Sequence, residues 1–214
     1  MLGSTYVQAV ISSASDSTVT TEEDESGFVS FPAAVLREMI MKTYHAMWRG
    51  DSQDVFSGLY LFSVENSLIV AATDGRRISK IRREFQSPLP FKDGVILPAR
   101  AGKKLVRLHD ACQNTSVSYD DKDKRIHFRV GNVDLICKII DGEFPDYEHV
   151  IPEKLDHKIR FNRIALQKAI RQAASRAIKP ARQVHLKFTS GKVSFQAGTF
   201  YTSASESTGN GHRV

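Results

Sequence analysis

Apolar positions along the chain follow two rhythms, and the order of those rhythms repeats. FVSFPAAVLREMI (28–40), GVILPARAGKKLV (94–106) and HKIRFNRIALQKAI (157–170) each run from a short alternating stretch into an amphipathic one. Alternation with a period of two predicts a half-buried strand, and apolar residues three and four apart predict a helix with one buried face. Between them stands an apolar residue (Phe31, Leu97, Phe161) followed by Pro32, Pro98 or Asn162. Proline suits the first helical turn, where a missing N–H costs nothing, and asparagine is a good N-cap. The first two echoes begin 66 residues apart, at Phe28 and Gly94.

The segments after each helix repeat as well. GLYLFSV, SLIVAAT and RISKIRR come after the first; TSVSYD, RIHFRV and VDLICKII after the second; QVHLKFT and KVSFQAG after the third, where the pattern stops. The unit is therefore a strand, a helix and three antiparallel strands, twice complete and once in part. This predicts an α+β fold with helices packed on antiparallel sheets. Residues 28–150 form one domain of two units, and residues 151–214 form a partial second domain with a polar tail. Residues 1–27, acidic and rich in Ser and Thr, do not read as core.

AATDGRRI (71–78) joins two of these strands. Asp-Gly between such runs is a strong hairpin signal, and Gly75 supplies the positive φ the turn needs. On the residues alone, Asp74 could be a carboxylate with a role in chemistry, and Arg76 and Arg77 could contact nucleic acid; the hairpin is the simpler reading.

Charge sharpens the picture. The chain carries +6 overall, yet residues 1–27 hold five acids and no Lys or Arg, which leaves +11 on residues 28–214. That imbalance points to a polyanionic partner. In the second helix Ala101, Leu105 and Leu108 share one face, while Arg100, Lys103, Lys104 and Arg107 fall opposite. In the third, Leu166, Ala169, Ile170, Ala173 and Ala177 form the apolar stripe, and Lys168, Arg171, Arg176 and Lys179 lie opposite. Solvated helix faces usually mix signs. Two faces of one sign, without interleaved aromatics or a base-reading pattern, suit contact with nucleic-acid phosphates independent of sequence.

Other chemistry finds little support. Asp120, Asp121 and Asp123 sit in a polar hairpin connection, and Asp141, Glu143 and Asp146 in a loop punctuated by Gly142 and Pro145. Neither set has a metal-ligand spacing, and no HExxH, GxSxG or P-loop occurs, so no catalytic residue, metal or cofactor is expected. Cys112 and Cys137 form no CxxC pair, which fits a reducing cytoplasm. No apolar run approaches the roughly 20 residues of a membrane span, and the N-terminus does not read as a secretory signal.

ATDGRRI, GVILPARAGKKL and above all KIIDGEFPDYEHVIP resemble the bacterial replicative sliding clamp, the beta subunit of DNA polymerase III. The resemblance runs from about Phe28 to Gly198, over a middle domain and about half of a third, with residues 1–27 as the end of a first. It implies a DNA-clamp fold and a non-catalytic processivity factor. Such subunits close head to tail as a homodimer around duplex DNA, in the cytoplasm at the nucleoid. They tether the replicative DNA polymerase, the clamp loader and repair proteins through short peptide motifs. By position, the peptide groove comprises Phe56, Thr73, Gly75, Arg76, Arg77, Ile78, Pro145, His149 and Val150. Arg76 stands where many family members have His, and Asp74 becomes a turn former. Two other readings compete: a basic DNA-binding module, which would lack the groove, and a metal nuclease, which would cleave DNA in the presence of magnesium.

Overall fold

The computed structural model describes residues 22–23, 27–50, 54–86, 89–110, 112–151, 159, 161–177, 183–189, 192–197 and 200–205. The chain divides into two compact units, residues 1–151 and 152–214.

The first unit contains both complete repeats. Strand β1 (Glu22–Glu23) precedes β2 (Val29–Pro32), helix α1 (Ala33–Thr43) and strands β3 (Gly58–Val64), β4 (Ser67–Thr73) and β5 (Ile78–Glu84). The second repeat runs β6 (Val95–Pro98), α2 (Ala99–His109), β7 (Asn114–Asp120), β8 (Arg125–Val130) and β9 (Val133–Lys138). Pro32 and Pro98 serve as N-caps, one position earlier than the first-turn placement expected of them. Neither can cap through a side chain. Instead the first helical N–H of α1, on Ala33, donates to the Gln113 carbonyl at 2.8 Å.

The two repeats exchange their leading strands. β2 pairs antiparallel with β7, Val29 opposite Val117, and β6 pairs with β3, Leu97 opposite Leu59. The sheets are therefore β1-β2-β7-β8-β9 and β5-β4-β3-β6. Each repeat closes an edge that the other would leave open, as strand edges require. The acidic segment also contributes: Glu22 and Glu23 pair with Ser30 and Val29, although residues 1–27 did not read as core.

One core joins the sheets through the helix pair. Leu36, Met39 and Ile40 of α1 and Ala101 and Leu105 of α2 pack with Leu59, Leu61, Val70, Leu97, Val117 and Phe128. A β-carbon at Gly102 would stand 2.9 Å from Leu59 Cδ1, so the glycine lets α2 lie close on β3. Glu38 of α1 accepts from Lys42 of the same helix and from the buried Arg83, which ties α1 to β5.

His109, the last residue of α2, is 4% exposed, and neither ring nitrogen has a hydrogen-bond partner within the described structure. Burial, with the Arg37 cation adding to it, lowers its pKa from 6.5 to about 4. The unfolded chain therefore binds this proton first. Stability from the neutral ring is present above pH 6.5 and lost as pH falls towards 4, by up to about 3 kcal/mol. Urea unfolding at pH 6.5 and pH 4.5 should show this loss in the parent. In His109→Leu the drop over that interval should shrink to the part the other groups supply; an unchanged drop would rule out His109 as its source.

The second unit has α3 (Arg163–Arg176) and the sheet β10 (His185–Thr189), β11 (Lys192–Ala197), β12 (Phe200–Ser205). Asn162 caps α3 as its sequence suggests, its Oδ1 accepting from the Ile164 and Ala165 N–H groups. Two expectations change here. The pattern does not stop after two strands: β12 pairs with β11 along six residues, from Ala197–Phe200 to Lys192–Ser205. And α3 packs through the small residues Ala169 and Ala173 on Val193, Phe195 and Ala197, which narrows the buried stripe and leaves Ile170 39% exposed. The strand expected before α3 falls largely outside the described residues; Ile159 and Phe161 are described and are not in a strand.

Candidate functional site

The turn that links β4 to β5 spends its polar groups on itself. Thr73 and Ile78 are opposed, so the connection is four residues long. Thr73 Oγ1 donates to the Arg77 carbonyl at 2.8 Å and accepts from Gly75 N–H at 3.1 Å. Asp74 Oδ1 accepts from the N–H groups of Arg76 and Arg77, and Oδ2 accepts from Arg77 Nε at 3.0 Å. Gly75 sits at φ +79, in the left-handed region that glycine enters freely. Asp74 is thus a turn-forming residue with its acceptors occupied. The Arg76 side chain is exposed, and the Arg77 guanidinium is held beside Asp74.

This hairpin carries a second apolar surface. β4 is buried at every position because the core covers one face of its sheet and a loop covers the other. That loop leaves the sheet edge at Ile140, whose N–H donates to the Ile96 carbonyl at 2.9 Å. Ile140, Phe144 and Tyr147 pack on Ala71 and Ile96, with Val55, Tyr60, Ile78 and Ile151 around them. Phe144 stacks on Tyr60 with centroids 4.6 Å apart and rings 2° from parallel, and Tyr147 meets Phe144 edge-on. A β-carbon at Gly142 would stand 2.7 Å from Val55 Cγ1, so the loop needs glycine there. Lys80 of β5 pairs with Glu148 and lies 5.2 Å over the Tyr147 ring. Burial, with the Glu148 charge adding to it, holds the Tyr147 phenol above the ordinary tyrosine range.

The groove residues expected from resemblance are placed unevenly. Thr73, Gly75 and Ile78 belong to the turn and its first strand residue, and Ile78 packs into the shelf. Phe56 is half-buried in the turn Val55–Ser57, where its neighbour Val55 makes the shelf contact. Pro145 is half-buried between Phe144 and Asp146. His149 pairs with Asp146 at 3.0 Å in the open, and Val150 is 69% exposed while Ile151 packs inward. Sequence reasoning missed Tyr60, Phe144, Tyr147 and Lys80. The aromatics at 144 and 147 in the FPDY run, and Tyr60 on the alternate face of β3, were the available signals.

The basic faces lie as the helical spacing suggests. Arg100, Lys103, Lys104 and Arg107 are exposed on α2, opposite buried Ala101, Leu105 and His109. Leu108, expected on that apolar face, is half-buried. Lys103 Nζ lies 5.3 Å over the Tyr44 ring, at the end of α1. On α3, Lys168, Arg171 and Arg176 are exposed, and Lys179 lies outside the described residues. Among the described residues, no group of three or more His, Cys, Asp or Glu side chains could hold a metal ion. No described helix is long and apolar enough to cross a membrane.

Solved structures share this architecture. A DNA polymerase sliding clamp from Pseudomonas aeruginosa superposes with a TM-score of 0.75 at 25% identity, over 83% of this chain and 50% of that one. The fold is the DNA-clamp fold, built from strand–helix–three-strand repeats. Residues 30–146 match the family described as the DNA polymerase III beta subunit, central domain, and the chain belongs to that family. Among its relatives, the beta sliding clamp of Pseudomonas aeruginosa is 29% identical over 179 residues, 83% of this chain and 48% of the relative. That of Chlamydia trachomatis is 26% identical over 162 residues, 76% and 38% of the respective chains. The chain spans less than half the length of these two relatives.

Proposed function

We propose that the chain acts as part of a sliding-clamp processivity factor, a non-catalytic accessory of a DNA polymerase. In this reading residues 28–150 are the clamp's middle domain and residues 151–214 part of its third, with residues 1–27 the end of a first. The basic faces of α2 and α3 run along duplex DNA by phosphate contact, and a ring closes by head-to-tail pairing of full-length subunits. The shelf beside the 73–78 turn takes short peptide motifs from the replicative polymerase, the clamp loader and repair proteins, at the nucleoid in the cytoplasm.

The observation that carries this reading is that the turn and the 140–151 loop pack together through Ile78, Phe144 and Tyr147 and leave Val150 69% exposed and Phe56, Ile78 and Pro145 half-buried. Such a mixture suits capture of an extended peptide by hydrophobic anchors. Ile78→Ala and Val150→Ala should each weaken a polymerase-derived clamp-motif peptide by about 1–2 kcal/mol, near tenfold, with duplex binding unchanged. Calorimetric titration checks this. Two variants that hold the peptide as tightly as the parent would remove the groove, and a parent that binds duplex but no peptide would favour the simpler basic module.

A further inference from the structure

Trp48 is the only tryptophan in the chain, and it stands 48% exposed just beyond α1. A large indole left half in water offers a flat π-face with a polar N–H edge. Its backbone is not loose: the Trp48 N–H donates to the Phe56 carbonyl at 2.9 Å. The indole lies over Gly50: a β-carbon there would stand 2.0 Å from Trp48 Nε1 and 2.7 Å from Cε2. The ring rests on bare backbone with its remaining area open.

Its surroundings are cationic. One turn earlier, Lys103 of α2 sits over Tyr44, which joins this end of α1 to the basic face of α2. The Tyr44 carbonyl accepts from Met47 N–H, so a single tight turn separates that contact from Trp48. Arg49 comes next and is exposed, and Met41 adds 54% exposed apolar surface on α1. The helix sequences alone show no aromatic among the basic residues; the fold brings Tyr44 against Lys103, four residues before Trp48.

We propose that Trp48 is a stacking platform for unpaired nucleobases, which lets the chain hold a single-stranded or junction segment of DNA beside the duplex. The inference rests on the reading of α2 as the duplex-contacting face. Every base has a π-face, so stacking tolerates any sequence, and the adjacent Arg49, with Lys103 over Tyr44 one turn away, matches the phosphate charge of a strand that runs past the ring.

The test uses the full chain and the emission of its one tryptophan. Oligothymidylate and a blunt duplex of equal length are titrated separately. The expected result is quenching of Trp48 emission by the single strand. Trp48→Ala should weaken single-strand binding roughly 5- to 100-fold and leave blunt-duplex affinity within about twofold, while Trp48→Phe recovers part of the loss. Unchanged emission, with single-strand binding equal in parent and Trp48→Ala, would overturn the platform. If Lys103→Glu/Lys104→Glu/Arg107→Glu still abolished duplex binding in that case, the clamp reading would stand without it. A parent that binds no single strand also overturns the platform, and one that binds neither form of DNA overturns both.

Discussion

Reversing Lys103, Lys104 and Arg107 to Glu together is expected to reduce duplex binding by at least roughly 100-fold at low salt, for every sequence alike. These side chains project from the exposed face of α2 with no acid on that helix to offset them. Each phosphate contact contributes about 0.9 to the slope of log affinity against log salt, so losing three should flatten it by about 2.7. Fluorescence anisotropy over a salt series, with two unrelated duplexes, checks both effects. A loss confined to one duplex would mean that the face reads bases, and an unchanged slope would mean that it faces something else. The fold should survive, because the buried side of α2 is carried by Ala101, Gly102, Leu105 and His109.

The second large effect concerns the exchanged strands. Leu97 is fully buried; it comes from the second repeat yet pairs with Leu59 in the sheet of the first. Truncation to Ala should cost about 2–5 kcal/mol, a large fraction of the 5–15 kcal/mol that typically holds a domain together. Because the core is shared, both repeats should lose that stability together. Urea unfolding followed by Trp48 emission, which reports on the end of α1, and by far-UV circular dichroism should give coincident transitions, both shifted to lower urea. Apart from a transition of the second unit, which circular dichroism also sees, separate transitions within the first unit, with only one shifted, would show that the repeats fold independently despite the exchange.

Much of this was legible locally. The 73–78 hairpin, the Asn162 cap, the paired strand–helix starts and the single-sign faces of α2 and α3 each depend on residues within one or two turns of each other. Period, turn chemistry and charge placement are properties of such short windows. The DGEFPDY run also marked its loop, but only as a motif. That Phe144 and Tyr147 lie on Tyr60 and Ile96 requires contacts between residues over 40 positions apart.

Tertiary structure alone decided the rest, for identifiable reasons. β2 alternates as expected while β6 is buried at three successive positions, Val95, Ile96 and Leu97, yet backbone hydrogen bonds would accept either at any open antiparallel edge. Which sheet each joins depends on packing α1 against α2 over a common core. FYTSAS (200–205) reads as polar tail, yet β11 offers a ladder that backbone groups fill whatever the side chains. His109 follows four cations in its helix, yet the last turn of α2 points it inward beside Arg37. Trp48 is one letter in a short link between helix and strand. Only the folded chain seats its ring on Gly50 and draws Tyr44 beneath Lys103, because close packing of distant segments is not encoded in the pattern of any one of them.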